Sequence, residues 1–269
     1  MMVFGLFTIL FLCVLDVTFA GYDWAFGNSS VWLSAAAYCE TNTYQTRTFK
    51  GASAGFIVTN VIDNKSEDVQ GYIGYLPSQS TIYVVYRGST SISDWANNLD
   101  AILTDYNRCS KCQVHKGFYK AEQAVINDVI TAVKSLKSQF PSYSVLVTGH
   151  SLGAAVATLT TLDLYSNGIT ARMFHFGSPR VGNDEFAAYA SNTITDRNRN
   201  THHKDMVPHV PMHERFTHIS GEWYEDDAGL HQCSGYEDNN CSYQWHITNI
   251  DDHMHYLGLY MGCDAVSKV

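Results

Sequence analysis

The chain has 269 residues, a formal charge of −9, and 45% apolar against 16% charged residues. Length and composition suit one α/β domain with a sizeable core. The acidic balance, with no Lys/Arg cluster, argues against nucleic acid as a partner and against electrostatic docking on anionic membranes.

Residues 1–20 read as a signal peptide. An apolar run at 3–15 is followed by Thr18-Phe19-Ala20 before Gly21, too short for a spanning helix and with no stop-transfer pattern behind it. The lack of Lys or Arg ahead of the run, and Asp16 near its end, leave an uncleaved interfacial anchor open. Residues 21–269 read as one domain outside the cytosol. Six cysteines follow Cys13, and an even count in a secreted chain predicts three disulfides. Cys109-Ser-Lys-Cys112 is a C-x-x-C with no second such pair to complete a zinc site. Cys233 and Cys241 bracket a loop and pair locally, which leaves Cys39 and Cys263 to tie the two ends together. Asn28, Asn64 and Asn240 begin glycosylation triplets that fit loops, the last next to Cys241.

Residues 30–39 form a helix candidate capped by Ser29 or Ser30. Segments 56–62 and 71–75 read as antiparallel strands, and TIYVVY at 81–86 as a central one. Ser91 then stands as an N-cap with Asp94 three positions on, a capping box. Ile92, Trp95, Leu99, Ile102 and Leu103 recur at helical spacing, which predicts a short amphipathic helix over 92–103. Residues 115–118 read as a loop before a long amphipathic helix over 119–140. After Pro141 come a strand, a small-residue helix from Leu152 to Leu164, a strand at 172–176, a loop at 177–183 and a helix at 184–191. Thr201 to Asp205 should end a strand, but 196–200 is too polar for an inner one. Val207-Pro-His-Val-Pro211 reads as extended, since each proline disfavours helix in the residue before it. Residues 218–224 offer a strand and the tail at 251–263 a short helix. Strands alternating with helices after an antiparallel start give the α/β class.

The chain's centre is SVLVTGHSLGAAVA at 144–157. An apolar strand runs into Gly149-His150-Ser151-Leu152-Gly153, a G-x-S-x-G, and an apolar helix follows. A strand turning straight into a helix leaves no room for Cβ atoms beside the central residue. Such a turn holds Ser151 exposed at the positive end of the helix. The motif alone is weak; its strand–turn–helix setting raises it.

Ser34-Ala-Ala-Ala-Tyr-Cys39, Tyr86-Arg-Gly-Ser89, Gly149 to Gly153, Phe176-Gly-Ser-Pro-Arg-Val-Gly-Asn183, Asp205-Met-Val-Pro208 and Asp252-His-Met-His-Tyr-Leu-Gly258 stand in one order along nearly the whole chain after residue 20. In that order they resemble the fungal-type, or class 3, lipases. The resemblance implies an α/β-hydrolase fold: a mostly parallel central sheet flanked by helices, with no cofactor. It also implies ester hydrolysis, mostly of triacylglycerol, with relatives that cleave phospholipids or feruloyl esters.

Acyl transfer needs a nucleophile, a base, an orienting acid and oxyanion donors. Ser151 fills the first role. The resemblance places the acid at Asp205, before Val-Pro, and the base at His253, which has a Tyr three positions on and a Gly five positions on; His255 lacks that pattern and is the fallback. It also gives the oxyanion donors, Leu152 after the nucleophile and Ser89 in the Arg-Gly-Ser loop. His150 cannot reach back to its neighbour's Oγ and is expected to pack beside the turn. His202, His203, His209 and His213 lack the H-E-x-x-H pattern, so no metal is expected.

The first reading is a secreted, monomeric triacylglycerol lipase acting at an oil–water interface without membrane insertion. Ile92, Trp95 and Leu99 would then form the apolar face of a lid over Ser151; a helix permanently packed on the core is the alternative. A feruloyl-type esterase or a phospholipase A1 is the rival within the fold, and the Cys233–Cys241 loop leans towards the feruloyl branch. A non-catalytic lipid carrier is the remote one, and the ordered Ser, Asp and His argue against it.

Overall fold

The computed structural model describes residues 21–267. The expected signal segment, with Cys13, lies outside them. Helix α1 (Trp24–Ala36) comes first, capped by Asp23, whose side chain accepts from the Phe26 amide. That cap starts the helix earlier than expected. Ser29 and Ser30 are buried inside it rather than capping it, and Asn28 lies on the helix rather than in a loop. Strands β1 (Ile57–Asn64), β2 (Val69–Leu76) and β3 (Thr81–Tyr86) follow as an antiparallel set. Then come α2 (Ile92–Asn98), a hairpin of β4 (Leu103–Asp105) and β5 (Gln113–His115), α3 (Lys116–Gln123) and α4 (Ile126–Gln139). The remaining elements are β6 (Ser144–His150), α5 (Leu152–Ser166), β7 (Arg172–Phe176), α6 (Asp184–Thr193), β8 (Arg197–His202), β9 (Glu222–Asp226) and β10 (Gly229–Gln232).

The main sheet runs β1-β2-β3-β6-β7-β8-β9-β10, parallel from β3 to β9. Successive residues of its inner strands serve opposite faces. Tyr83, Val85, Leu146, Phe174 and Phe176 pack with α1 on one side. Val84, Tyr86, Val145 and Val147 pack with α4 and α5 on the other. Burial on both faces is why TIYVVY and SVLV need no alternation, at about 1.5–3 kcal/mol for each fully buried Val, Leu or Phe.

Strand β8 corrects the expectation that 196–200 is too polar for an inner strand. Its arginines and Thr201 find partners on neighbouring elements. Arg199 donates to Glu222 at 2.8 Å, and Thr201 Oγ1 donates to the same carboxylate at 2.6 Å. Arg197 donates to the carbonyls of Ser191 and Ile194 at the end of α6, both at 2.7 Å. Removing one partner of a buried ion pair strands the other, typically at about 3–5 kcal/mol.

Other expectations change locally. The predicted 119–140 helix breaks at Val125, whose φ of −131° and ψ of −14° are not helical, and α3 starts inside the supposed loop, capped by His115. Val207–His209 is a 3-10 turn, because proline is tolerated in a first helical turn. Of 218–224, only Glu222 onward joins a strand. The tail is not a helix: a 3-10 turn (Asp252–Met254) leads to β11 (His255–Tyr256) and β12 (Leu259–Tyr260). These are joined through Leu257 and Gly258, both at positive φ, before α7 (Cys263–Ser267). The sulfurs pair as Cys39–Cys263, Cys109–Cys112 and Cys233–Cys241, with Cα separations of 4.7, 5.5 and 6.3 Å.

Candidate active site

Ser151 sits between β6 and α5 at φ 59°, ψ −128°, a strained conformation held from both sides. Its amide donates to the Phe176 carbonyl at 3.0 Å. The flanking glycines are needed for space. A Cβ on Gly153 would lie 2.6 Å from the carbonyl oxygens of Tyr86 and Arg87, and one on Gly149 2.5 Å from that of Gly153. Ser151 is wholly buried, and its Oγ has no hydrogen-bond partner among the described residues.

The end of β8 and the last loop bring Asp205 and His253 together. His253 Nδ1 lies 2.8 and 2.9 Å from the two Asp205 oxygens. A carboxylate only accepts, so Nδ1 carries the hydrogen and Nε2 is left as an acceptor. That Nε2 is buried and has no partner among the described residues, like Ser151 Oγ. Each of these two buried atoms, left unpaired, costs about 1–3 kcal/mol, which marks a site kept for chemistry rather than stability. Asp205 also accepts from the Val207 amide at 2.8 Å and from the Tyr256 hydroxyl. His255 is exposed, with its Nδ1 3.0 Å from the Asp251 carbonyl, and does not join the pair.

Sequence reasoning assigned no role to several supports of this pair. Gly177, at φ +57°, lies behind it: a Cβ there would come within 2.7 Å of His253 Cε1 and 2.9 Å of Asp205 Oδ2. Asn249 stitches the two loops, accepting from the Met206 amide through its carbonyl at 3.0 Å and donating its own amide to Lys204 at 2.9 Å. Asp252 accepts from the Lys204 amide at 3.1 Å and from Asn249 Nδ2 at 2.7 Å. No local pattern marks such cross-loop partners, although Asn249 and Asp252 stand beside the motif that holds His253.

The Arg-Gly-Ser loop after β3 lies against Ser151; a Cβ on Gly88 would be 2.8 Å from Ser151 Cβ. Arg87 anchors that loop through Gln70 at 2.5 Å and Asp68 at 2.6 Å. Ser89 is buried there, and Leu152, half-buried, opens α5. The pair therefore flanks the positive end of a 15-residue helix. Over these loops lies α2, shorter than the predicted 92–103. It ends at Asn98, and Leu103 belongs to β4. Ser91 caps it only through its carbonyl, which accepts from the Trp95 amide, so the predicted capping box does not form. Ile92 and Ala96 pack on Val207, with Tyr38, Met206, Ile250 and Met254 around them. Trp95 and Leu99 join a cluster that includes Leu152 and Phe118. Ile102, expected on the same face, is exposed.

His150 packs beside the turn, its ring 4.3 Å from that of His253. Of the other histidines, His202 Nδ1 lies 2.9 Å from the Asp252 carbonyl and His213 3.7 Å from Glu237. Among the described residues no three His, Cys, Asp or Glu side chains converge as metal ligands would.

The family model described as Lipase (class 3) matches residues 83–215. The chain is 36% identical over 206 residues to a lipase of Rhizomucor miehei, a match covering 72% of this chain and 57% of that protein. It is 35% identical over 167 residues to a secreted mono- and diacylglycerol lipase A of Penicillium cyclopium, covering 60% and 53%. The chain thus spans little more than half the length of these curated relatives. A solved triacylglycerol lipase, described as having a serine protease triad at its catalytic centre, superimposes with a TM-score of 0.82 at 32% identity. That likeness covers 87% of this chain and 94% of the other.

Proposed function

The chain belongs to the class 3 lipase family, and on that premise we propose that it is a serine hydrolase of carboxylic esters, acting on the acyl esters of glycerides and on triacylglycerol foremost. The observation that carries the reading is His253 Nδ1 held 2.8 Å from Asp205, with His253 Nε2 and Ser151 Oγ both buried and unpartnered.

His253 Nε2 takes the Ser151 proton as Oγ attacks the ester carbonyl, while Asp205 holds the imidazolium that forms. The amides of Leu152 and Ser89 and the Ser89 hydroxyl receive the oxyanion, each such donor being worth about 3–4 kcal/mol. His253 returns the proton to the leaving alcohol, which leaves an acyl-Ser151 ester. Water, deprotonated by the same Nε2, then releases the fatty acid and regenerates Ser151.

In this reading α2 is a lid. The face made by Ile92, Trp95 and Leu99 shields the site in water, and an oil surface rewards turning it outward at roughly 25 cal/mol per Å² of apolar area. Three disulfides suit an oxidising compartment, in keeping with export of a monomer through the segment at 1–20. Among the described residues no helix is long and apolar enough to cross a membrane.

The test is hydrolysis of short and long p-nitrophenyl esters, and of emulsified triacylglycerol, diacylglycerol, phospholipid and a feruloyl ester. Ser151→Ala and His253→Ala should each remove almost all activity with the fold intact, and His255→Ala should leave most of it. Full activity in Ser151→Ala refutes the mechanism. Faster turnover of phospholipid or feruloyl ester moves the substrate assignment to that class.

A further inference from the structure

Tyr38 and His150 belong neither to the Ser151–His253–Asp205 set nor to the oxyanion donors, yet they lie between them. We propose that the Tyr38 hydroxyl and the His150 imidazole form a positioning bridge that fixes the base, His253, relative to the oxyanion loop at Gly88. This rests on the roles assigned above to Ser151, Ser89 and His253.

The hydrogens of the bridge follow from its geometry. His150 is wholly buried, and its Nε2 lies 2.8 Å from the backbone carbonyl oxygen of His253. A carbonyl only accepts, so Nε2 carries the hydrogen and Nδ1 offers a lone pair. The Tyr38 hydroxyl, 2.6 Å from Nδ1, therefore donates to it. Gly88, the residue before Ser89, lies against the same hydroxyl: a Cβ there would come within 2.2 Å of the Tyr38 oxygen. One run of contacts thus passes from Gly88 through Tyr38 and His150 to His253. It links the loop after β3, the residues just beyond α1, the end of β6 and the last loop of the chain.

The bridge also sets the charge beside the base. The His150 ring lies over that of His253, with centroids 4.3 Å apart and planes 32° apart. The titratable groups facing His150 are Tyr38, His253 and Tyr256, with Arg87 beyond Tyr38. Burial and the neighbouring His253 hold the His150 imidazole neutral, and an Nδ1 that accepts from Tyr38 cannot also bear a proton. A neutral ring lets His253 become a cation during Ser151 attack; a charged one would oppose it. The bridge therefore supplies both spacing and neutrality to a step carried by other residues.

Tyr38→Phe keeps the ring and removes only the donor. On a dissolved short-chain ester, kcat should fall about tenfold with KM unchanged, the scale of one lost oriented hydrogen bond at a reacting group. Labelling of Ser151 by a fluorophosphonate should slow in parallel. Nitrogen-15 NMR of the wild type should show His150 as the neutral Nε2–H tautomer, with its Nδ1 resonance shifted in Tyr38→Phe. Unchanged kcat and labelling in a folded Tyr38→Phe overturns the bridge. A change confined to KM also overturns it, because Tyr38 would then be a substrate contact. Nδ1 protonation in the wild type overturns it without any reference to activity. Wild-type protein that fluorophosphonate does not label at Ser151 fails the functional reading instead, and leaves the NMR result to judge the bridge alone.

Discussion

The Cys39–Cys263 disulfide should be the largest single contributor to stability among the three. Its cysteines are 224 positions apart, against eight for Cys233–Cys241 and three for Cys109–Cys112. On the chain-entropy relation, closing a loop of that length is worth about 5 kcal/mol, against about 2.5 kcal/mol for the eight-residue separation. Replacing both members, Cys39→Ala with Cys263→Ala, avoids a free thiol. The expected result is a urea midpoint lowered about twice as far as by the Cys233→Ala, Cys241→Ala pair, with a steeper slope because the unfolded chain expands. Activity should fall too, below the unfolding transition. Cys39 follows Tyr38, and its carbonyl accepts from Gln70, the same side chain that anchors Arg87 beside the Ser89 loop. Cys263 opens α7, just after the hairpin that carries Tyr256. Equal losses from the two double variants would refute the loop-entropy reasoning.

Trp95→Ala should lower the rate on emulsified long-chain triacylglycerol much more than on dissolved short esters; equal losses would make α2 fixed structure. Glu122 is wholly buried beside Asp163, which Arg108 meets at 2.5 Å, and burial pushes the Glu122 carboxyl from 4.5 up to about 8. The folded protein then holds a proton that the unfolded chain releases, so this stabilisation is complete below about pH 4.5 and is lost as pH rises towards 8. Glu122→Gln should flatten that fall in thermal midpoint, and an unchanged slope would exclude the pair as its source. Among the glycosylation triplets, Asn64 should be the one occupied on secretion. It ends β1 in a turn, whereas Asn28 lies on α1 and Asn240 adjoins the disulfide-bonded Cys241. Glycopeptide mapping would decide this, and a glycan at Asn28 would contradict it.

The central strands, the Ser151 turn and the Cys109–Cys112 and Cys233–Cys241 pairs were legible because each leaves a local mark: an apolar run, a glycine spacing, a close cysteine spacing; Cys39–Cys263 followed as the remaining pair. What escaped was written across the chain. Strand β8 looks too polar until Glu222 and the end of α6 are seen to receive its arginines. The break at Val125 is hidden because the apolar periodicity continues through it. The tail looked helical because its His and Tyr spacing says nothing of the Leu257-Gly258 reversal. Asp205 and His253 could be named from the motifs around them, but Gly177, Asn249 and Asp252 act on partners in other loops, and only the folded chain brings them there.

The stitching of the Asp205 and His253 loops through Asn249 and Asp252 makes the distance between these two side chains independent of the chain that separates them. The route from 205 to 253 runs through two further strands and a disulfide-closed loop, yet the spacing is set by backbone contacts at residues 204, 206 and 249 and by the Asp252 carboxylate. The turns along that route at 212–216 and 227–228 are therefore mechanically bypassed, whereas 234–240 is tied in through the Glu237–Arg180 pair. The bypassed turns can lengthen, shorten or acquire new contacts without moving Asp205 relative to His253. In such a scaffold, substrate preference can diverge while the chemistry stays in place.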